Sequence, residues 1–278
     1  MKNMNYRDLW EIHNGIFIPW RPTYTASNPY QLQAKTAADL LVQSFDCDAI
    51  YLRGSGIYPH VDYQIEDLDL ILCYNSQTRD EPFPTEEELE GFLQKEFDAH
   101  LQWDLRIHDL SQDFENMNIL TYFFLQLRSM FLSGTDYREI GLEIDADENT
   151  AIFLYNRAVD PLLPILDFYG YEEVSEFLPW LQKQTLRLFA YHALAQKQMF
   201  SRELIDCVQF GQSLYPELSD GIIQVYYDYI EKQGSKSFAT IVLLQEILIR
   251  DIITGKKVET FEDENDENIG EEESSETE

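Results

Sequence analysis

The sequence predicts an α+β chain: a mixed sheet with flanking helices in front, an all-helical domain behind it, and a disordered acidic tail. Three observations carry this. Strand-like alternation occurs in short runs before residue 110 and is gone after about residue 150. Long apolar patterns of helical spacing take over from there. The last twenty residues, Glu259 to Glu278, hold eleven Asp/Glu, no Lys or Arg, and only Phe261 and Ile269 as large apolar groups. Such a segment buries too little to offset its ordering entropy. The expected divisions are 1–145, 146–258 and 259–278.

Residues 1–28 are rich in aromatics and turn formers and read as an irregular arm. Gln31–Phe45 has helical spacing, with Ala37, Leu40, Leu41 and Phe45 on one face. Asp48–Arg53 reads as a short strand, followed by a Gly-containing loop. Asp67–Tyr74 is a second strand, because Leu68, Leu70 and Leu72 alternate with Asp67, Asp69 and Ile71. Thr85, with Glu88 three residues on, opens a charged helix over 86–100. Leu101–His108 alternates as a third strand, and Phe114–Leu132 reads as a long apolar helix. Helical patterns then follow over 150–168, 174–196, 201–215, 221–232 and 238–253, divided by prolines and glycines.

The chain has 278 residues with 20 Lys+Arg and 51 Asp+Glu, a net charge of −31. Without the eleven acidic residues of the tail the charge is still −20, so the folded part is acidic too. That argues against broad nucleic-acid binding, which needs cations to displace counterions from phosphates. It argues equally against docking on an anionic membrane. The tail is a solubilising segment or a docking site for a basic protein partner. Cys47, Cys73 and Cys207 are widely spaced and form neither a disulfide framework nor a zinc motif. The N-terminus has no apolar leader, so a cytoplasmic protein is expected.

One stretch carries candidate chemistry. Gly54-Ser55 ends the first strand, and after a gap of eleven residues Asp67-Leu68-Asp69 opens the next. Residues i and i+2 of a strand face the same side, which puts the carboxylates about 6–7 Å apart. At an effective dielectric near 20 they repel by about 2–3 kcal/mol, a cost that a cation between them removes. Hard oxygen ligands of this kind suit Mg²⁺, held by one or two carboxylates together with substrate phosphates. Gly54 permits close backbone approach, and Ser55 offers a hydroxyl and an amide to a phosphate. Asp104, on the third strand, would complete a trio suited to two-metal phosphoryl or nucleotidyl transfer. Arg106 either offsets the charge of Asp104 or is structural. Of the histidines, only His60, in the loop before Asp67, merits a functional test.

Gly54-Ser55, the eleven-residue gap, Asp67-Leu68-Asp69-Leu70 and Asp104 resemble the signature of the DNA polymerase β-type nucleotidyltransferase superfamily. Gln184–Leu194 and Phe200–Asp206 in the helical half resemble the C-terminal domain of bacterial aminoglycoside adenylyltransferases. The resemblance implies a nucleotidyltransferase-type sheet, two Mg²⁺ ions, and ATP or another NTP as donor. It implies Asp67 and Asp69 as metal ligands, and Asp104 as third ligand or as the base that takes the acceptor's proton. It further implies that Gly54 and Ser55 hold the triphosphate and that Arg202 meets its β/γ-phosphates. Where many members place a basic residue shortly after Gly-Ser, this chain has Gly56-Ile57-Tyr58-Pro59. The expected acceptor is a hydroxyl of a small, cationic molecule or of a protein. The alternative is a fold that has lost turnover and serves as a nucleotide-binding or protein-interaction module.

Overall fold

The computed structural model describes residues 8–58, 67–97, 101–111, 119–139, 141–164, 171–231 and 237–253. The expected tail, His60 and the start of the helix expected from Phe114 lie outside the described residues. The chain is α+β, with a mixed four-stranded sheet and eight α-helices among the described residues. It divides into two compact units, Trp10–Ala146 and a helical one that takes residues 8–9 and those from Asp147 on. No helix among the described residues is long and apolar enough to cross a membrane.

The first unit begins with a hairpin, β1 (Ile12–His13) and β2 (Ile16–Phe17), inside the segment read as an irregular arm. Asn14 and Gly15 form its two-residue turn at φ 53° and 78°. Positive φ at both central positions matches the right-handed twist of the flanking strands, and Asn-Gly adopts it with least strain. Helix α1 (Pro29–Phe45) follows. Asn28 caps it by accepting from the amides of Tyr30 and Gln31, and Pro29 supplies the preset φ of a first helical position.

The sheet consists of β3 (Ala49–Arg53), β4 (Asp67–Tyr74), β5 (Gln102–Asp109) and β6 (Met130–Gly134), in the order β5-β4-β3-β6. Strand β3 runs antiparallel to β4 and β6, whereas β4 and β5 are parallel. The parallel crossover contains α2 (Glu86–Glu96). Thr85 and Glu88 close the expected capping box at its start. Thr85→Ala is expected to lower stability by about 1 kcal/mol, read from the midpoint of urea unfolding.

Ile50, Leu52, Leu68, Leu70, Leu72, Trp103, Leu105, Met130 and Leu132 form one sheet face and pack with Ala34, Ala37, Ala38 and Leu41 of α1 and Leu89 and Leu93 of α2. The opposite face carries Ala49, Tyr51, Ile71 and Cys73 under Leu125 of α3 (Ile119–Leu127). The expected single helix to Leu132 is thus a shorter helix followed by β6. A short apolar run has no period that separates helix from strand, and pairing with β3 decides the matter. Strand β5 is an edge, and α2 covers its open side: Glu90 accepts from the Leu105 amide at 3.1 Å and Glu86 from that of Ile107 at 3.1 Å.

The helical unit contains α4 (Glu148–Val159), α5 (Tyr171–Lys197), α6 (Leu204–Leu214), α7 (Ser219–Ile230) and α8 (Ser237–Ile253). The 27-residue α5 packs against the other four. Leu186, Phe189, Phe200, Phe210 and Ile222 are fully buried here. Gly211 is a helix-packing position, because a Cβ there would lie 2.8 Å from Ile222 and 3.0 Å from Phe189.

Candidate active site

Strand register aligns the candidate residues. Arg53 on β3 is the direct partner of Asp69 on β4, and Asp69 is the direct partner of Asp104 on β5. Direct cross-strand partners share a face, so the three side chains form one row across three strands. The row lies on the Tyr51–Ile71 face, at the end of the sheet where β3 leaves and β4 and β5 enter. Asp67, two residues before Asp69, is also partly exposed.

At that point Gly54 turns out of β3 at φ 69° and begins a 3₁₀ turn through Ile57. A Cβ on Gly54 would stand 2.1 Å from Asp69 Oδ2. A side chain there would have to displace the Asp69 carboxylate, so the glycine backbone and the carboxylate occupy adjoining positions. Gly54 is exposed and Ser55 half-buried. Gly56 has a different reason to be glycine: its Cβ would meet Leu68 at 3.0 Å and Leu52 at 3.1 Å in the core. The turn is held from α1. The Gln31 side-chain amide lies 3.3 Å from each of the carbonyls of Gly56, Ile57 and Tyr58. Asn28 Nδ2 donates to the Tyr58 carbonyl at 3.1 Å.

The carboxylates do not face one another alone. Arg53 Nη2 stands 3.4 Å from Asp69 Oδ1 and 3.9 Å from Asp104 Oδ2. Arg106 Nη2 stands 3.2 Å from Asp104 Oδ1, while its Nη1 donates to Glu86 at 3.0 Å. The result is an alternating chain, Asp69–Arg53–Asp104–Arg106–Glu86. Arginine thus stands beside Asp69 and Asp104, and Arg106 does offset Asp104. Among the described residues, no three His, Cys, Asp or Glu side chains gather as a metal-holding group.

Arg53 was not singled out from the sequence. Its signal was its position as the last strand residue before Gly54, in phase with Tyr51. Which carboxylates it meets depends on how three strands pair, and no local pattern carries that.

Arg202 belongs to the helical unit and precedes α6, whose N-cap is Glu203. Ser201 beside it is fully buried. Its hydroxyl donates to Asp206 at 2.7 Å and accepts from the Glu203 amide at 3.1 Å. Asp206, also fully buried, accepts from the Asp8 amide at 2.9 Å. Ser201 thus shapes the turn into α6. His192 Nδ1 lies 2.7 Å from the Tyr215 hydroxyl, and its Nε2 is buried with no hydrogen-bond partner among the described residues. Burial lowers the His192 pKa to about 4. All three cysteines are free and buried. Burial raises each thiol to about 12, which suppresses thiolate chemistry at neutral pH.

The chain matches no family model, and no curated protein matches it.

Proposed function

We propose that the chain is a Mg²⁺-dependent nucleotidyltransferase that moves a nucleoside monophosphate, AMP from ATP in the first instance, to a hydroxyl of a small cationic molecule or a protein. The observation that carries this reading is the abutment of Gly54 on Asp69, with Asp104 in register on the next strand. A glycine turn against a strand carboxylate brings a phosphate-binding backbone and a hard oxygen donor to one point. Asp67, Asp69 and Asp104 offer only oxygen, the donor type that a hard divalent cation takes, on partly exposed positions of neighbouring strands. Bound there, Mg²⁺ supplies charge neutralisation for the triphosphate. Gly54 and Ser55 receive the triphosphate through backbone amides and the Ser55 hydroxyl. Asp104 takes the acceptor's proton or completes the ligand set. The acidic surface steers a cationic acceptor.

A second reading has its own observation. Arg53 and Arg106 already meet Asp69 and Asp104, as they would in a module of this fold without turnover that binds nucleotide or protein.

Thermal unfolding with ATP, GTP, CTP and UTP, each with and without Mg²⁺, tests the first reading. One nucleotide is expected to stabilise the protein only with Mg²⁺, by about 2.7 kcal/mol at a hundredfold excess over Kd. Asp67→Asn/Asp69→Asn is expected to remove the shift. A shift without pyrophosphate release for any acceptor would favour the module. No shift with any nucleotide would sink the transferase.

A further inference from the structure

We propose that the outer face of α7 is a docking surface for a cationic amphipathic helix of another protein. It uses no residue of the candidate transferase site and does not depend on that reading.

The face follows from the helix period. Ile222 and Val225 are fully buried and Asp228 nearly so, which fixes the side of α7 that packs on α5, α6 and α8. With 3.6 residues per turn, Asp220, Ile223, Tyr227 and Ile230, spaced by three and four, fall in one row on the opposite side. Tyr227 and Ile230 are each 53% exposed, and Ile223 is half-buried. Helix α8 packs on α7, with Leu243 beside Gly221, and carries a further exposed apolar residue, Val242. A surface helix ordinarily keeps its outer side polar. Here the outer side of α7 is an apolar row, and a row of exposed apolar groups marks an interaction surface where a single one would not.

The charge of the partner follows from the surroundings. From Glu203 to Glu246 the chain holds seven Asp/Glu against Lys232 and Lys236, which lie outside the described residues. Asp220 opens the row and is exposed, as is Glu246 on α8. An apolar row with acid beside it attracts Lys and Arg and repels phosphate and carboxylate. A second copy of the chain would bring the same acidic face and a net charge of −31, so pairing of like faces is disfavoured. Anionic lipid and nucleic acid are disfavoured for the same reason. The complement is a helix with aliphatic residues on one side and Lys or Arg along its flanks. Its apolar side covers Ile223, Tyr227 and Ile230, and its cations meet Asp220 and Glu246. Tyr227 is the anchor, a large side chain with few rotamers to lose.

The probe is a fluorescein-labelled Leu/Lys peptide patterned as an amphipathic helix, titrated against the full chain and followed by anisotropy at physiological salt. A scrambled peptide of the same composition measures charge attraction alone, which the acidic segment from Glu259 to Glu278 also supplies. The wild type is expected to bind the patterned peptide about tenfold more tightly than the scrambled one. Tyr227→Ser/Ile230→Ser is expected to lose that preference with its thermal unfolding midpoint unchanged, because both side chains are more than half exposed. Asp220→Asn/Glu246→Gln, which keeps the apolar row, is expected to weaken the patterned peptide severalfold. Equal binding of the two peptides by the wild type would overturn the proposal. So would a Tyr227→Ser/Ile230→Ser variant that still prefers the patterned one. A dimer in sedimentation that the same variant dissolves would put a second copy on this face and overturn it too. None of these outcomes bears on nucleotide binding, which its own titration decides.

Discussion

Gly54→Ala is expected to cost nucleotide binding far more than it costs stability. The residue holds φ 69°, where an L side chain costs about 1–2 kcal/mol. Its new Cβ would lie 2.1 Å from Asp69 Oδ2. That oxygen ends a short side chain at a partly exposed position, so it can swing aside at little cost to the fold. The site pays differently, because a displacement near 1 Å in a transfer centre costs on the order of a hundredfold in rate. Urea unfolding of Gly54→Ala should show a loss of about 1–2 kcal/mol, while the Mg²⁺-dependent shift with nucleotide should vanish. Gly56→Ala is the control. Its Cβ would press on Leu68 and Leu52 in the core, an overpacking worth about 1–3 kcal/mol, and would leave Asp69 where it is. The two variants should therefore separate: one loses the ligand, the other loses stability. Equal ligand responses in both would show that the Gly54–Asp69 contact plays no part in binding.

Acidification is expected to weaken the protein by about 3 kcal/mol between pH 6.5 and 4, through His192 alone. Burial holds the folded-state pKa near 4, below the ordinary value of 6.5. Between those values the unfolded chain takes up a proton that the folded chain refuses, so stability falls as pH falls and levels off below 4. This is opposite in sign to a histidine that gains a carboxylate partner. His108, also lowered by burial against the opposing charge of Asp109, adds in the same direction. Asp109 acts in a lower window. Desolvation would raise its pKa, but hydrogen bonds from Ser76 and Ser111 outweigh that and lower it to about 2. Its contribution is present above 3.8 and is lost as pH falls toward 2. His192→Gln can still meet Tyr215 and does not titrate, so its stability should be flatter across pH 4–6.5. An unchanged slope in that variant, measured by urea unfolding at closely spaced pH values, would place the acid sensitivity elsewhere.

Local patterns were sufficient for much of this molecule. Alternation of Leu68, Leu70 and Leu72 against the aspartates marks β4 end to end, because a half-buried strand writes period two into its own residues. Thr85 and Glu88 mark the start of α2, because a capping box closes within four residues. The helical half was legible for the same reason, with most limits moving by a few residues and α4 ending at Val159 instead of running to 168. The hairpin carries its signal in Asn14-Gly15, which the aromatics and prolines around it mask.

What local pattern could not reach is pairing. Met130–Gly134 reads as the end of a helix until β3 takes it as an edge strand. Whether β4 neighbours β5, and in which register, sets whether Asp104 stands beside Asp69 or a residue away on the other face. The register of β3 on β4 brings Arg53 into the row, and the packing of α2 on β5 brings Glu86 to Arg106. From the sequence the aspartates look like a pair that calls for a cation. In the folded chain Asp69, with Asp104 next to it, faces an arginine supplied by β3. Residue chemistry and short-range spacing were written in the chain order. The charge balance of the site came from contacts between segments far apart in sequence, which exist once the sheet is assembled.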